Sequence, residues 1–457
     1  MGHADQNKKA GNGEPNSNAA VQPEGATRCS DQSSDVKVKT VTCSLTGMAP
    51  LFTPIKIGGL QLSHRIIMAP LTRCRASPNN VPNTKLSGEY YAQRTTKGGL
   101  IVSEATNINP QSVGHFCAPG IWTPEQVDAW KGIVSAIHAK GGFIFLQLWH
   151  VGRGSHSAYQ PDGRPPVGPS PIAIKGQTSL PDGTEAPFEV PRELTVEEIA
   201  ALLDDYRKAT NNAFLAGFDG VEVHGANGYL IDQFLHDGSN QRTDKYGGSI
   251  ENRARLLFEV VEAVQKVWID AAGAGTPKAA NVALRLSPFG KYQDMSDTHE
   301  AELYGYVIPN LNRFNLAYLH VVEPRVSAGP DAIAVVNNLG KTFSGPLISA
   351  GGYRPDDANQ TVMDGCKSNP PRAVAVAFGR LFISNPDLPL RIFLRTDLHN
   401  YDRSTFYTHE AVGYTDQPFL KDGEIADHIK ELREAQPDNE KLQAAIDGEI
   451  QMLKVQV

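Results

Sequence analysis

The chain has 457 residues, room for one large domain plus tails; a β/α barrel with insertions takes roughly 250 to 400 residues. Hydrophobic residues are 40% and charged residues 20%, the balance of a soluble globular protein, and the net charge of −7 argues against nucleic acid as a partner. Five cysteines (Cys29, Cys43, Cys74, Cys117 and Cys366), widely spaced and without a C-x-x-C, argue against a disulfide framework, a zinc knuckle or an iron–sulfur site and favour a reducing, cytoplasmic location.

Residues 1–49 contain no aromatic side chain and are rich in Gly, Asn, Ser, Gln and charge, the composition of a disordered leader. They lack the apolar stretch of a secretory signal, and Gln6 stands where myristoylation needs Ser or Thr. No apolar run anywhere approaches the ~20 residues of a membrane-spanning helix, so no membrane partner is expected.

From Leu51 short apolar runs alternate with stretches of helical period. The runs are Arg65–Pro70, Leu100–Ala105, Phe143–Trp149, Gly220–His224, Val282–Ser287, Tyr318–Glu323, Pro346–Gly351 and Arg372–Gly379. Buried parallel strands read as continuous apolar runs of this kind. Helices are expected near Leu86–Thr95, at Pro124–Ala139 behind the cap Thr123, and at Thr195–Ala216 behind a capping box. Others are expected at Ile250–Trp268, His299–Arg313, Asp331–Leu339 and Pro355–Cys366. Eight repeats favour a closed (β/α)8 TIM barrel, α/β in class, over an open doubly wound sheet. The proline-rich segment from His150 to Leu194 reads as an excursion over the barrel mouth, with a hairpin near Pro181-Asp182-Gly183. Beyond Leu420 two helices split by Pro437 are expected. The organisation is thus a leader (1–49), a single barrel domain (50–420) and a C-terminal helical extension (421–457).

A barrel builds its site at the C-terminal ends of its strands. No Lys ends any of the runs, which argues against a Schiff-base enzyme, and no cluster of His and carboxylates suggests a metal. Glycines and a guanidinium after the seventh and eighth strands (Gly351, Gly352, Gly379 and Arg380) suit a phosphate, although glycines also simply end strands. Arg285, inside the fifth strand, requires either a neutralising carboxylate or a ligand carrying negative charge; Gln147 is similarly placed in the third. Both could meet the pyrimidine edge of a flavin. His224 and Asn227 end the fourth strand and offer two donors for one carbonyl oxygen, and Tyr229, protonated at neutral pH, can supply a proton. A lone histidine is more often structural, but the three together at a strand end favour chemistry.

At these residues the sequence resembles a family. His224–Leu235 (HGANGYLIDQFL), Asn240–Arg253 (NQRTDKYGGSIENR), Ala69–Arg73 (APLTR), Gln147–Arg153 (QLWHVGR), Leu284–Gly290 (LRLSPFG) and Gly379–Leu388 (GRLFISNPDL) resemble the old yellow enzymes, in family order from about Leu51 to Phe419. The resemblance implies FMN at the barrel mouth and NADPH or NADH as hydride donor. It implies flavin contacts from Pro70, Leu71, Thr72 and the backbone at Ala105. Gln147 and Arg285 would hold the pyrimidine edge, and Gly351, Gly352, Gly379 and Arg380 the phosphate. It makes His224 and Asn227 the carbonyl-binding pair, Tyr229 the proton donor, and Trp149 and Tyr407 aromatic residues of the substrate cavity. The expected function is an ene-reductase acting on small activated alkenes, as a monomer or homodimer. Thr72 in place of a cysteine separates the chain from the thermophilic-like branch. Asn227, where plant oxophytodienoate reductases usually carry His, points away from a dedicated jasmonate enzyme. The alternatives are a 12-oxophytodienoate reductase-like oxylipin enzyme or a flavin-binding sensor. A dienoyl-CoA reductase would need a cysteine cluster and further domains that this chain lacks.

Overall fold

The computed structural model describes residues 50–324, 336–338, 340–368, 370–435 and 440–454. The expected leader, most of the helix expected over Asp331–Leu339, and Pro437 lie outside the described residues.

Eight parallel strands close into a barrel: β1 (Ile66–Met68), β2 (Leu100–Asn107), β3 (Phe143–Trp149), β4 (Gly220–Gly225), β5 (Val282–Leu286), β6 (Leu319–Val322), β7 (Leu347–Ala350) and β8 (Val374–Phe378). Each pairs with its neighbours in sequence, β8 returns to β1, and all eight expected runs carry a strand. Alternation sorts the side chains. Ile66, Ile101, Ile144, Leu146, Val221, Val223, Leu284, Leu319 and Val376 join the large core shared with the helices. Ile67, Leu100, Val102, Phe145, Ala283, Tyr318, Ile348 and Ala375 form a second cluster inside the barrel. A hairpin not anticipated from the sequence, Ile55–Ile57 against Leu60–Leu62, adds Ile55, Ile57 and Leu62 to that inner cluster. It plugs the end of the barrel opposite the strand C-termini.

The helices are α1 (Thr84–Gln93), α2 (Pro124–Ala139), α3 (Val196–Leu215), α4 (Leu230–Leu235), α5 (Ile250–Arg253), α6 (Arg255–Ala272), α7 (Glu300–Asn310), α8 (Pro355–Lys367), α9 (Arg380–Ser384), α10 (Leu388–Leu394), α11 (Asp422–Ala435) and α12 (Glu440–Leu453). Thr123 and Thr195 both cap through a full capping box, with Gln126 and Glu198 returning the bond. The single helix expected from Ile250 is interrupted at Ala254 into α5 and α6. Between β3 and α3 a small hairpin, Gln177–Ser179 with Glu185–Pro187, turns through Gly183 at φ +84°, where the sequence placed one. No helix among the described residues is long and apolar enough to cross a membrane.

The two terminal helices dock on the body. Ile425, Leu432, Ile446, Ile450 and Leu453 are buried in the main core, and the Lys97 amide donates to the Met452 carbonyl at 3.2 Å. Lys97 precedes β2, so this contact lies at the end of the barrel away from the strand C-termini. Replacing Ile446 by Ala is expected to cost about 2–4 kcal/mol in chemical unfolding while leaving turnover unchanged. A loss of turnover at full occupancy of the fold would show that the extension serves the site.

Candidate active site

The inward side chains change character along the barrel axis. On β3 the inward series is Phe145, Gln147, Trp149; on β4 it is Glu222, His224; on β5 Ala283, Arg285; on β6 Tyr318, His320. Phe145, Ala283 and Tyr318 belong to the apolar cluster inside the barrel, and above them Gln147, Glu222, His224, Arg285 and His320 form a polar layer. Register brings them together, with Gln147 opposite Glu222, His224 opposite Arg285, and Arg285 opposite His320.

Glu222 is fully buried, and its charge is held by specific partners. Gln147 Nε2 donates to its Oε1 at 2.7 Å and His320 Nδ1 lies 2.9 Å from its Oε2. Burial opposes ionisation of Glu222, but His320, Arg285 and Gln147 outweigh it and hold its carboxyl below the usual range. Arg285 feels the attraction of Glu222 without forming an ion pair with it, and its Nε is buried with no hydrogen-bond partner among the described residues. The carboxylate foreseen as one alternative for Arg285 is therefore present. It does not satisfy the guanidinium, whose Nε has no partner among the described residues, and a buried polar group left in that state calls for a further partner.

The turn after β4 carries the chemistry. His224 Nδ1 accepts the Ala226 N–H at 3.3 Å, so the ring proton sits on Nε2 and can be donated. Burial, with the nearby Arg285 and His320, pushes its pKa well below 6.5 and keeps it neutral. Asn227 and Gly228 both have positive φ, +58° and +71°, the conformation that Asn and Gly tolerate best. Their amides are tied down: Asn227 N–H donates to Ser287 Oγ at 2.7 Å and Gly228 N–H to Asp232 Oδ2 at 2.8 Å. The turn delivers Tyr229 with its ring centroid 5.1 Å from His224 and 4.9 Å from Trp149, edge-on to both. Burial raises the Tyr229 pKa well above 10, so the phenol keeps its proton. Ala105, Trp149 and Tyr229 pack in one small cluster. Trp149 itself is fully buried, its ring stacked with His115.

The rim is built by the loops after β1 and β8. Arg73 and Arg75 are buried and bond backbone carbonyls of the segment 405–413, including Phe406 from both, at 3.1 and 2.8 Å. That segment presents Tyr407, which is 63% exposed and stands at the edge of the site. Pro70 is buried, while Leu71 and Thr72 are half-buried. Gly351 and Gly352 end β7 with φ of +144° and +80°, and a Cβ on Gly351 would lie 2.6 Å from the Glu323 carbonyl. Gly379 ends β8, and a Cβ there would come within 3.2 Å of Leu71 Cδ2. Arg380 is exposed and bonds the Tyr401 hydroxyl at 2.9 Å. A bare backbone and a cation at two adjacent strand ends, beside a polar layer with an orphaned guanidinium nitrogen, fit a planar ligand bearing a phosphate, as FMN does.

Comparison with known proteins places the chain in a family. The model of the NADH:flavin oxidoreductase / NADH oxidase family matches residues 50–397. The chain belongs to this family, that of the old yellow enzymes. It is 46% identical over 378 residues to 12-oxophytodienoate reductase 1 of Oryza sativa subsp. japonica, covering 82% of this chain and 94% of that one. It is 45% identical over 377 residues to 12-oxophytodienoate reductase 2 of Arabidopsis thaliana, covering 81% and 96%. Morphinone reductase, solved in complex with tetrahydroNAD, matches with a TM-score of 0.73 at 46% identity, covering 82% of this chain and 98% of that one. This flavin oxidoreductase uses FMN and a reduced nicotinamide.

Sequence reasoning did not single out Glu222, His320, His115 or Tyr292. Glu222 was discoverable: it is a charge at an inward position of a buried strand, two residues before His224. Removing it in Glu222→Ala strips Gln147 and His320 of their partner and leaves Arg285 uncompensated. The expected cost is about 3 kcal/mol or more in chemical unfolding. A change under 1 kcal/mol would show that the charge balance is not needed.

Proposed function

We propose that this old yellow enzyme reduces the C=C bond of small activated alkenes such as enones, enals, maleimides and nitroalkenes. In this reading Pro70, Leu71, Thr72 and Ala105 lie along the flavin. Gln147 and Arg285 hold its pyrimidine edge, and Gly351, Gly352, Gly379 and Arg380 hold its phosphate. Held by these residues, FMN would supply the hydride for the alkene β-carbon, drawn from NADPH or NADH. His224 Nε2–H and the Asn227 side-chain NH2 donate to the substrate carbonyl or nitro oxygen, where negative charge develops. Tyr229 gives its phenolic proton to the α-carbon, and the tyrosinate regains a proton from water at the rim. Trp149 backs the cavity and Tyr407 flanks its entrance.

The observation that carries this reading is the pairing of a neutral, Nε2-protonated His224 with a protonated Tyr229, ring centroids 5.1 Å apart at the end of one strand. A flavin-binding sensor would have no use for such a donor pair. The relatives are named for ketone-bearing substrates, which is the group that His224 and Asn227 would bind.

Rapid kinetics separates the two half-reactions. Tyr229→Phe is expected to slow alkene reduction about 10²-fold or more and to leave flavin reduction by NADPH unchanged. His224→Ala is expected to slow the alkene step about 10²–10³-fold. Equal slowing of both half-reactions would contradict the assignment.

Because the His224 pKa lies well below 6.5 and that of Tyr229 well above 10, neither group changes charge between those limits. Tyr229→Phe should therefore lower the pH profile of the alkene step without changing its shape across that range. A limb lost in the variant would mean that Tyr229 ionises there.

A further inference from the structure

Beneath the turn that carries Tyr229 lies a buried charged group that the chemistry does not use. Asp232 lies in the first turn of α4, His236 follows its last residue and Glu300 starts α7; they are 2%, 1% and 7% exposed. His236 Nδ1 lies 3.4 Å from Asp232 Oδ1 and its Nε2 3.6 Å from Glu300 Oε1, so one imidazole stands between two carboxylates. Its Nδ1 also lies 2.8 Å from the Asp232 carbonyl. The other groups facing this trio are the Tyr304 hydroxyl, 3.4 Å from Asp232 Oδ1, and Lys291, 3.1 Å from Glu300 Oε2. Desolvation works against a charged imidazole here, but the two carboxylates raise the pKa of His236 to about 9, so it is a cation at neutral pH.

Each carboxylate holds a different loop of the active site. Asp232 Oδ2 accepts the Gly228 N–H at 2.8 Å and the Ser287 hydroxyl at 3.5 Å, and Ser287 Oγ accepts the Asn227 N–H at 2.7 Å. Glu300 Oε1 accepts the Phe289 N–H at 2.5 Å. The backbone at both places is in the left-handed region, φ +58° at Asn227 and +61° at Phe289. A side chain as bulky as phenylalanine stays there only if its surroundings impose it. The two loops also touch: a Cβ on Gly228 would come within 2.6 Å of the Tyr292 carbonyl, and the rings of Tyr229 and Tyr292 are 6.5 Å apart.

We propose that Asp232, His236 and Glu300 form a charged clamp that fixes the turn after β4 in register with the turn after β5 and so positions Tyr229 for proton delivery. This rests on the reading of Tyr229 as the proton donor. None of the three touches the reactants; they are positioning residues. The cation holds together two carboxylates that would otherwise repel; Asp232 in turn pins the Gly228 amide and Glu300 the amide of the strained Phe289. Loosening the clamp lets the Asn227–Tyr229 turn relax, and an error of about 1 Å in a reacting group can cost 10²-fold in rate.

The test is a double-mutant cycle on the FMN-loaded enzyme, with both half-reactions followed by stopped flow. Asp232→Asn keeps an acceptor for Gly228 but removes the charge. Ser287→Ala removes only the hydroxyl between Asn227 and Asp232, and carries the test if Asp232→Asn does not fold. Each is expected to slow alkene reduction about 10-fold or more, to leave flavin reduction by NADPH within about twofold, and to lose most of its effect in the Tyr229→Phe background. A merely structural role would slow both half-reactions together, and that outcome overturns the clamp. So does the same fold-loss with and without Tyr229. If Tyr229→Phe alone has no effect on the alkene step, the donor assignment falls and the clamp with it. If Tyr229→Phe acts as expected and the Asp232 and Ser287 variants do nothing, only the clamp falls.

Discussion

A cation in a barrel wall has to be answered, and the answer organises the upper half of this molecule. Arg285 sits on a strand whose neighbours are leucines and whose lower inward residue is alanine. Glu222 supplies the compensating charge from the adjacent strand without closing an ion pair. Gln147 and His320 in turn hold Glu222, 2.7 and 2.9 Å from its two oxygens. The result is a layer in which a carboxylate compensates the cation while the Arg285 Nε still has no hydrogen-bond partner among the described residues. Below it the barrel is apolar and plugged; above it the strand ends carry the reacting groups. A buried charge left wholly unpaired would destabilise the fold, and one fully paired would have nothing left for a ligand.

The same economy of position appears on β4. With side chains alternating every second residue, Glu222 and His224 both face inward, one serving the balance below and the other the chemistry above. The next residues leave the strand through two positive-φ positions, which turns the chain sharply enough to bring Tyr229 back over His224. The rim is held by different means, two buried arginines gripping the carbonyls of the segment that bears Tyr407. The parts that give stability, the hairpin plug and the terminal helices, lie at the other end, where they can be altered without touching the donors.

Much of this was legible in the sequence because its signals are local. Parallel strands buried on both faces appear as apolar runs, and all eight were found; Thr123 announces its helix with Pro124 just inside and Thr195 through Glu198 three positions on; Pro181-Asp182-Gly183 marks its hairpin. The strand-end rule then picked out His224, Asn227 and Tyr229, which the fold gathers into one turn. What the sequence hid was pairing at a distance. Glu222 and His320 are 98 residues apart and meet only because β5 separates their strands by one place. His236 and Glu300 lie in separate segments that only packing brings side by side. The opening hairpin, Ile55 to Leu62, is too short for its alternation to stand out, and the break at Ala254 leaves no mark that a glycine or proline would have made.

The central claim, that one site passes hydride from nicotinamide through flavin to an alkene, is tested most directly by anaerobic titration of the purified protein. NADPH is added first, then 2-cyclohexenone, while the flavin absorption band is followed. The account requires the band to bleach with NADPH and to return with the enone in the absence of oxygen. Bleaching without return would contradict alkene reduction at this site, and a protein that binds no flavin would contradict the account at its root.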